Sequence, residues 1–484
     1  MNIQIMKIKS KIANGSPVVK ASFWFMVCSV LQKCISLIST PLFTRLLTSE
    51  EYGIFTVYNS WYQVFLIFIS LKLDGGVFNK GMSKYSDNKD EYTETMQGIT
   101  TITCVILAVV FLIFKKMFTT MTELRIEILL LMVLHLLFTE AISFWSLRER
   151  YDYKYKKVVV ITLLMAFSNC GLGVLLVLVS NGNKGIARII SIIIVQIIFG
   201  IGIYFVNLKK AGKFIVSKYA KFAVRFNIPL IPHYLSMYIM SSSDRIMIQK
   251  MCGTTEVALY GVVYNLALVL QFVVDSLNSS LAPWLYKKME EKDTKDIEKI
   301  ILFVGFGIML VLSGFILVAP EVVYLMAGNK YLDAVTVMPC ITTSILCIFI
   351  YQLIGNIEFY YDANKFTMYV SMIGAVFNII LNYIAIPIWG YWAAGYTTLI
   401  CYLIFVIAHA MFAARLSRKK ENKVILSPLK ITALCIALSV YAVFMSKLYA
   451  YTLIRYVIAI SLIFLMIIKR KRILSIWKAL KLKG

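Results

Sequence analysis

Lys33 stands about 13 residues into the first long apolar block, about 20 Å along a helix at 1.5 Å per residue. In a spanning helix that depth is mid-membrane. A charge there costs about 2.5–3.5 kcal/mol on insertion scales and therefore faces a cavity or a partner. An ammonium at that level suits an anionic group; a snorkelling or paired structural lysine is the alternative. Arg45 closes the same block just after Pro41, and Asp244 and Arg245 follow Ser241, Ser242 and Ser243 at the end of the seventh block. Guanidinium groups take phosphate oxygens through two parallel hydrogen bonds. The competing reading is interface anchoring, or an Asp244–Arg245 pair within one helix end.

Asp74, Glu140 and Asp275 fall in the inner halves of the second, fourth and eighth blocks. Carboxylates there can carry a coupling proton or balance the basic residues, and Asp74 and Asp275 also read as ordinary inner-interface residues. Asn378 and Asn382 are four apart and share one helix face. Thr397 and Thr398 follow on the next block. Their amide and hydroxyl oxygens suit a hard cation such as Na⁺, or simply bond two helices together. No metal site is firmly assigned. Arg188 reads as an anchor at the outer start of the sixth block. His135, His233 and His409 are scattered and read as packed histidines. Pro229 and Pro232 interrupt the hydrogen bonding of the seventh block.

The elements that must hold these groups are long and apolar. The chain has 484 residues, 60% hydrophobic and 15% charged, against about half apolar and a quarter charged in soluble domains. Blocks near 20 residues span a bilayer as helices, whereas barrel strands would be about 10 residues of alternating polarity. Fourteen spans are predicted: 20–45, 52–74, 94–114, 126–147, 158–180, 185–207, 223–249, 256–284, 299–319, 331–357, 366–388, 390–414, 429–447 and 452–468. The connectors are too short for a folded soluble domain.

The net charge of +25 sits between the blocks, so membrane orientation explains it and nucleic acid does not. One alternate set of connectors holds about 35 of the 50 Lys and Arg, which places both termini in the cytoplasm. Lys115, Lys116 and Arg125 are the exceptions. Nearly all of the nine cysteines lie inside apolar blocks without a C-x-x-C spacing, as small buried hydrophobes do. The first block is full length and reads as an uncleaved signal anchor. After Lys469, Ile473, Ile476, Trp477 and Leu480 fall on one helical face amid lysines, the pattern of an interfacial amphipathic helix.

Glu50, Tyr58 and Asn59 recur as Glu256, Tyr264 and Asn265 at one constant spacing. The second and eighth helices then match, and an even shift of six helices keeps their orientation, as in parallel transporter repeats. The expected organisation is a six-helix lobe over 1–207, a second over 208–414, and two further helices with a basic tail over 415–484. No phosphate-binding loop, dinucleotide fingerprint or zinc-protease motif occurs. The outer loops are too small for the catalytic loop of a polysaccharide polymerase or transferase, so no enzyme is expected.

Thr40-Pro-Leu-Phe-Thr-Arg-Leu-Leu-Thr-Ser-Glu-Glu-Tyr-Gly-Ile-Phe55 resembles the first-to-second helix signature of Wzx-type polysaccharide flippases in the multidrug/oligosaccharidyl-lipid/polysaccharide exporter superfamily. Phe226-Asn-Ile-Pro-Leu-Ile-Pro-His-Tyr-Leu-Ser236, running on to Ser241-Ser-Ser-Asp-Arg245, is similar to their seventh-helix signature, and Tyr260-Gly-Val-Val-Tyr-Asn265 follows in the eighth. The resemblance covers almost the whole chain. It implies an all-α membrane protein with two six-helix bundles in a MATE-like V around a central cleft, plus two C-terminal helices. It implies export of an undecaprenyl-pyrophosphate-linked oligosaccharide across the bacterial cytoplasmic membrane by alternating access on an Na⁺ or H⁺ gradient, alongside a polymerase and chain-length proteins. Basic cleft residues of relatives meet the pyrophosphate; Lys33, Arg45 and Arg245 match them, with Asp244, Asn59 and Asn265 beside them. Peptidoglycan-precursor exporters of the superfamily use a sodium site between helices seven, eleven and twelve. Asn378, Asn382 and Thr398 fit it, but no clear carboxylate completes the set. A multidrug exporter of the same fold is the alternative, and a membrane-embedded polymerase or transferase a more distant one.

Overall fold

The computed structural model describes residues 17–468, and among these every regular element is a helix. In chain order they are α1 (Pro17–Leu46), α2 (Ser49–Ser70), α3 (Gly76–Lys84), α4 (Lys89–Ile113), α5 (Lys115–Thr122), α6 (Ile126–Tyr151), α7 (Tyr155–Val179), α8 (Lys184–Ala211), α9 (Ser217–Asn227), α10 (Ile231–Met251), α11 (Thr254–Glu290), α12 (Ile297–Leu317), α13 (Ala319–Ala327), α14 (Met338–Tyr360), α15 (Asn364–Trp389), α16 (Ala393–Glu421), α17 (Pro428–Lys447) and α18 (Thr452–Ile468). Eleven helices among the described residues are long and apolar enough to cross a membrane. The other three predicted spans correspond to α2, α10 and α18. The first two carry charge and hydroxyls, and the third is a helix of 17 residues. The predicted amphipathic tail lies outside the described residues.

Three span boundaries differ from expectation for local reasons. The predicted seventh span, 223–249, is two helices separated by a 3₁₀ turn, Ile228–Leu230. Pro229 and Pro232 have no N–H for the helical ladder. The second span stops at Ser70 rather than 74, because Leu71 and Lys72 turn left-handed with φ of 46° and 52°. Asn227 fastens that turn: its amide donates to the carbonyls of Leu71 (2.9 Å) and Lys72 (2.5 Å). The tenth span begins at Met338, after a 3₁₀ stretch over Asn329–Val337.

Helix starts follow capping chemistry. Thr48 and Glu51 form a reciprocal capping box on α2. Glu51 also accepts from the N–H of Lys184 (3.0 Å), tying the start of α2 to that of α8, where Asn183 caps Ile186. The junctions α6–α7 and α14–α15 close with one device. Lys154 N–H bonds Glu149 O (2.9 Å) and Ala363 N–H bonds Glu358 O (2.9 Å), with Tyr153 and Asp362 both at φ 58°. The two turns correspond residue for residue, as a duplicated chain would have it.

The chain divides into two compact units, one ending at Tyr238 and one beginning at Ile239. In the first, α4, α6 and α8 pack together, α1 lies on α7, and α2 lies on α8. The sequence puts a lobe boundary after residue 207, yet 208–238 packs with the first unit. Tyr219, Ala223 and Asn227 bury one face of α9 against α3 and α4. In the second unit α14 is enclosed by α11, α12, α16 and α17, and its side chains are buried on nearly every face, as befits a helix at the centre of a bundle.

Arg455 fixes α18 to this unit. It is 2% exposed, forms a two-pronged pair with Glu321 of α13 (2.9 and 2.8 Å), and donates to Leu317 O at 2.6 Å. Arg455→Ala strands the Leu317 carbonyl and unlocks α18. The expected cost is about 2–3 kcal/mol, read as a lower thermal midpoint and faster proteolysis beyond Lys447. A midpoint unchanged from wild type would contradict that role.

Candidate functional site

In the first unit, α1 presents a polar stripe. Ser22, Ser29, Gln32, Lys33, Ser36 and Thr40 fall within about 100° of arc at 3.6 residues per turn, and none of them is buried in the unit. Ser29 and Thr40 satisfy their hydroxyls on Phe25 O and Ser36 O of the same helix. Lys33 is exposed in the middle of this stripe. Beside it Met26, Val30, Leu31 and Ile38 expose an apolar face, so α1 has one side for lipid and a flank that lipid would not solvate. Arg45 is exposed at the end of α1. Asn59 is half-buried and donates to Phe55 O (3.0 Å) on its own helix.

Two of the predicted carboxylates belong to the first unit. Glu140 on α6 is 2% exposed with Oε2 unpartnered, and it interacts electrostatically with Asp74 and Lys72. Asp74 lies beyond α2, its Oδ1 4.0 Å from Lys72 Nζ and without a hydrogen bond. Asp275 joins neither. It is exposed on α11 in the second unit, where Gln271 donates to it at 2.8 Å. Asn265, Asp275, Ser276 and Ser279 share an exposed face of α11 within about 100° of arc.

In the second unit the oxygen-bearing residues converge. Asn382 donates to Asn378 Oδ1 (3.3 Å), Asn378 donates to Cys401 Sγ (3.7 Å), and Thr397 donates to Asn382 Oδ1. Ser243 of α10 donates to Asn378 Oδ1 at 3.4 Å. Next to it Asp244 is buried, accepting from Tyr260 and from the Arg245 N–H. Thr398 Oγ1 is buried without a partner. Asp244, placed at a helix end by the sequence reading, lies inside α10 beside Ser243. Arg245 is half-buried, 4.1 Å from the Tyr264 ring, and its Nη1 donates to Ser242 (3.4 Å).

Residues 18–289 match the family model described as "Polysaccharide biosynthesis protein", and residues 229–384 match the MatE model. The first match covers more than half of the chain. The chain belongs to the polysaccharide biosynthesis protein family.

A curated relative in Haemophilus influenzae, "Lsg locus putative protein 1", is 22% identical over 374 residues, covering 74% of this chain and 89% of its own length. The inward closed structure of the lipid II flippase MurJ superposes with a TM-score of 0.68 at 13% identity, over 93% of this chain and 99% of that one. An inward-facing multidrug resistance MATE transporter of the MOP superfamily gives 0.63 at 14% identity, over 81% and 96%. At these identities the structures establish fold. Together with the family match they give this chain the fold of the MOP-superfamily flippases and transporters and tie it to polysaccharide biosynthesis.

This member of the family also carries buried charges that its sequence did not flag. Glu358 of α14 is 0% exposed and its carboxylate meets His409 Nδ1 at 2.8 and 3.0 Å, with Thr367 donating at 2.8 Å. His409 had read as a packed histidine, and Glu358 lay just past the predicted span. Glu94, at the edge of its predicted span, is fully buried and accepts from Gln97 (2.9 Å), which in turn accepts from Asn207 (2.9 Å). Arg188, expected as an interfacial anchor, is instead 8% exposed, 3.9 Å from the Phe43 ring and donating to Asn169 O at 2.7 Å. Gly173 makes its space: a Cβ there would stand 2.3 Å from Arg188 Nη1. His135 is packed as expected, stacked on Tyr62 and bonded to Tyr58 OH (2.9 Å).

Proposed function

We propose that the protein carries undecaprenyl-pyrophosphate-linked oligosaccharide repeat units from the cytoplasmic to the outer leaflet of the bacterial cytoplasmic membrane, with both its termini in the cytoplasm. The observation that carries this reading is Lys33, a cation in a continuous polar stripe on a spanning helix and unburied within its own unit. Such a stripe is unstable against hydrocarbon, so it faces a solvated transport path, and its charge suits a pyrophosphate. Arg45 and Arg245 supply further cations, and the polar face of α11 suits sugar hydroxyls. The lipid II flippase likeness supports a lipid-linked cargo, and the family match supports polysaccharide. A cationic drug would be repelled by Lys33. The polymerase and chain-length proteins of the pathway are the expected partners.

Two ion sites fit an antiporter. The oxygen set of Asp244, Asn378, Asn382 and Thr398 has hard-cation chemistry: one buried carboxylate to balance charge, amide oxygens, and a hydroxyl with no other partner. These residues would hold Na⁺, which when bound would neutralise Asp244. Glu140 in the first unit is the proton counterpart, a buried carboxyl whose Oε2 has no hydrogen-bond partner.

Deletion of the gene in the native host should leave the lipid-linked repeat unit accumulating on the cytoplasmic leaflet and deplete surface polysaccharide. Unchanged surface polysaccharide with altered drug tolerance would overturn the reading in favour of a multidrug exporter.

A further inference from the structure

We propose that the outward faces of α3 and α9 form a binding site for the diphosphate headgroup of a membrane lipid. The two short helices pack on each other in the first unit. Val77, Phe78 and Met82 bury one face of α3, and Tyr219, Ala223 and Asn227 bury one face of α9. Opposite these faces stand five exposed cations: Lys80 and Lys84 on α3, and Lys218, Lys221 and Arg225 on α9. Their spacings put each set on one side of its helix.

These cations differ from their neighbours. Around them Lys89 is paired with Asp152, Arg148 with Asp90, Lys210 with Glu149, and Lys213 with Glu91. None of the five has a carboxylate within ion-pair distance among the described residues. Three of them are instead held over aromatic rings. Lys80 lies 4.7 Å from Phe226, Lys84 lies 4.5 Å from Phe222, and Lys84 and Lys218 share the ring of Tyr85 at 5.4 and 5.3 Å. Two ammonium groups from different helices thus converge on one ring with no anion to separate them. Cation–π contact restrains them without neutralising them, so an incoming anion meets charges already in place.

Exposed apolar side chains flank α9 at either end, Phe214 at 40% and Ile228 at 53%. An amphipathic helix bounded this way lies in the headgroup layer. Phosphates at that level belong to lipids. A phosphodiester lipid brings one negative charge, whereas a diphosphate brings two or three on adjacent phosphorus centres, with oxygen pairs for Arg225 to take bidentately. Five unmatched cations fit the second better. The choice of a diphosphate lipid rests on the flippase reading; the unmatched cation cluster does not.

The test uses the purified full chain in detergent, with farnesyl diphosphate, farnesyl monophosphate and a short-chain phosphatidylglycerol as probes. Lys221 and Arg225 stack on no ring, so Lys221→Gln with Arg225→Gln removes charge without touching the aromatic contacts. Lys156→Gln with Lys157→Gln removes equal charge elsewhere. The first pair should weaken farnesyl diphosphate binding about tenfold or more, at about a factor of five per cation, with the thermal midpoint unchanged. The second pair should weaken it less than twofold. Lys84→Gln with Lys218→Gln should match the first pair, and arginine at both positions should restore binding. Equal losses from the Lys221/Arg225 pair and the Lys156/Lys157 pair would overturn the site, as would phosphatidylglycerol or the monophosphate binding as tightly as the diphosphate. Binding that survives in a protein whose deletion leaves surface polysaccharide intact would refute the transport reading and keep the site.

Discussion

Lys33→Ala should abolish most export while improving membrane insertion. The ammonium lies in the exposed polar stripe of α1, and no folding contact depends on it. Removing it relieves about 2.5–3.5 kcal/mol of insertion cost, so the variant should reach the membrane at wild-type level or above. Losing one charged contact to a pyrophosphate costs about 2–4 kcal/mol, a fall of about 30- to 700-fold at 1.4 kcal/mol per factor of ten. Lys33→Arg keeps the charge and should retain most activity. Complementation of the deletion strain, with surface polysaccharide and membrane-protein abundance measured together, separates the two effects. A fully active alanine variant would remove Lys33 from the substrate path.

The helices were legible because the bilayer imposes their length. A hydrocarbon core of about 30 Å demands about 20 apolar residues, so 126–147 and 429–447 anticipated α6 and α17 to within a few residues. The exceptions obey local chemistry that hydropathy does not weigh. Pro229 and Pro232 split the seventh span, and left-handed Leu71 and Lys72 end the second. Each was written in the sequence as a residue type, but its consequence depended on a partner. Asn227, more than 150 residues away, is what holds the Leu71–Lys72 turn.

Buried charge was the least legible feature, because burial is a tertiary property. Arg188 reads as an anchor until α7 is laid on α8, where Gly173 leaves the guanidinium its space. Glu358 sits one residue past a predicted span, yet its helix continues to Tyr360 inside the bundle. Its partner His409 lies 51 residues further on. Asp244 was noticed but placed at a helix end, so the asparagine pair seemed to lack a carboxylate. α10 runs on to Met251, and Ser243 reaches Asn378 from within it.

That relocation of Asp244 supports the second large effect, loss of sodium response in Asp244→Asn. Asparagine keeps one oxygen for the Arg245 N–H, and its amide NH₂ can donate to the Tyr260 hydroxyl oxygen, so the local fold should survive. What disappears is the carboxylate charge of the oxygen set, and cation affinity in such sites follows ligand charge. A ligand at 100 times its dissociation constant stabilises the folded state by about 2.7 kcal/mol. The purified wild type should therefore melt several degrees higher in sodium chloride than in choline chloride, and Asp244→Asn should melt equally in both. Thr398→Val separates ligation from general packing. Its hydroxyl is buried without a partner, so removing it should hold or raise stability in choline while shrinking the sodium shift. A wild type indifferent to sodium would dismiss the site. If Glu140→Gln then abolished export driven by a pH gradient, coupling would belong to Glu140, a buried carboxyl whose Oε2 has no hydrogen-bond partner.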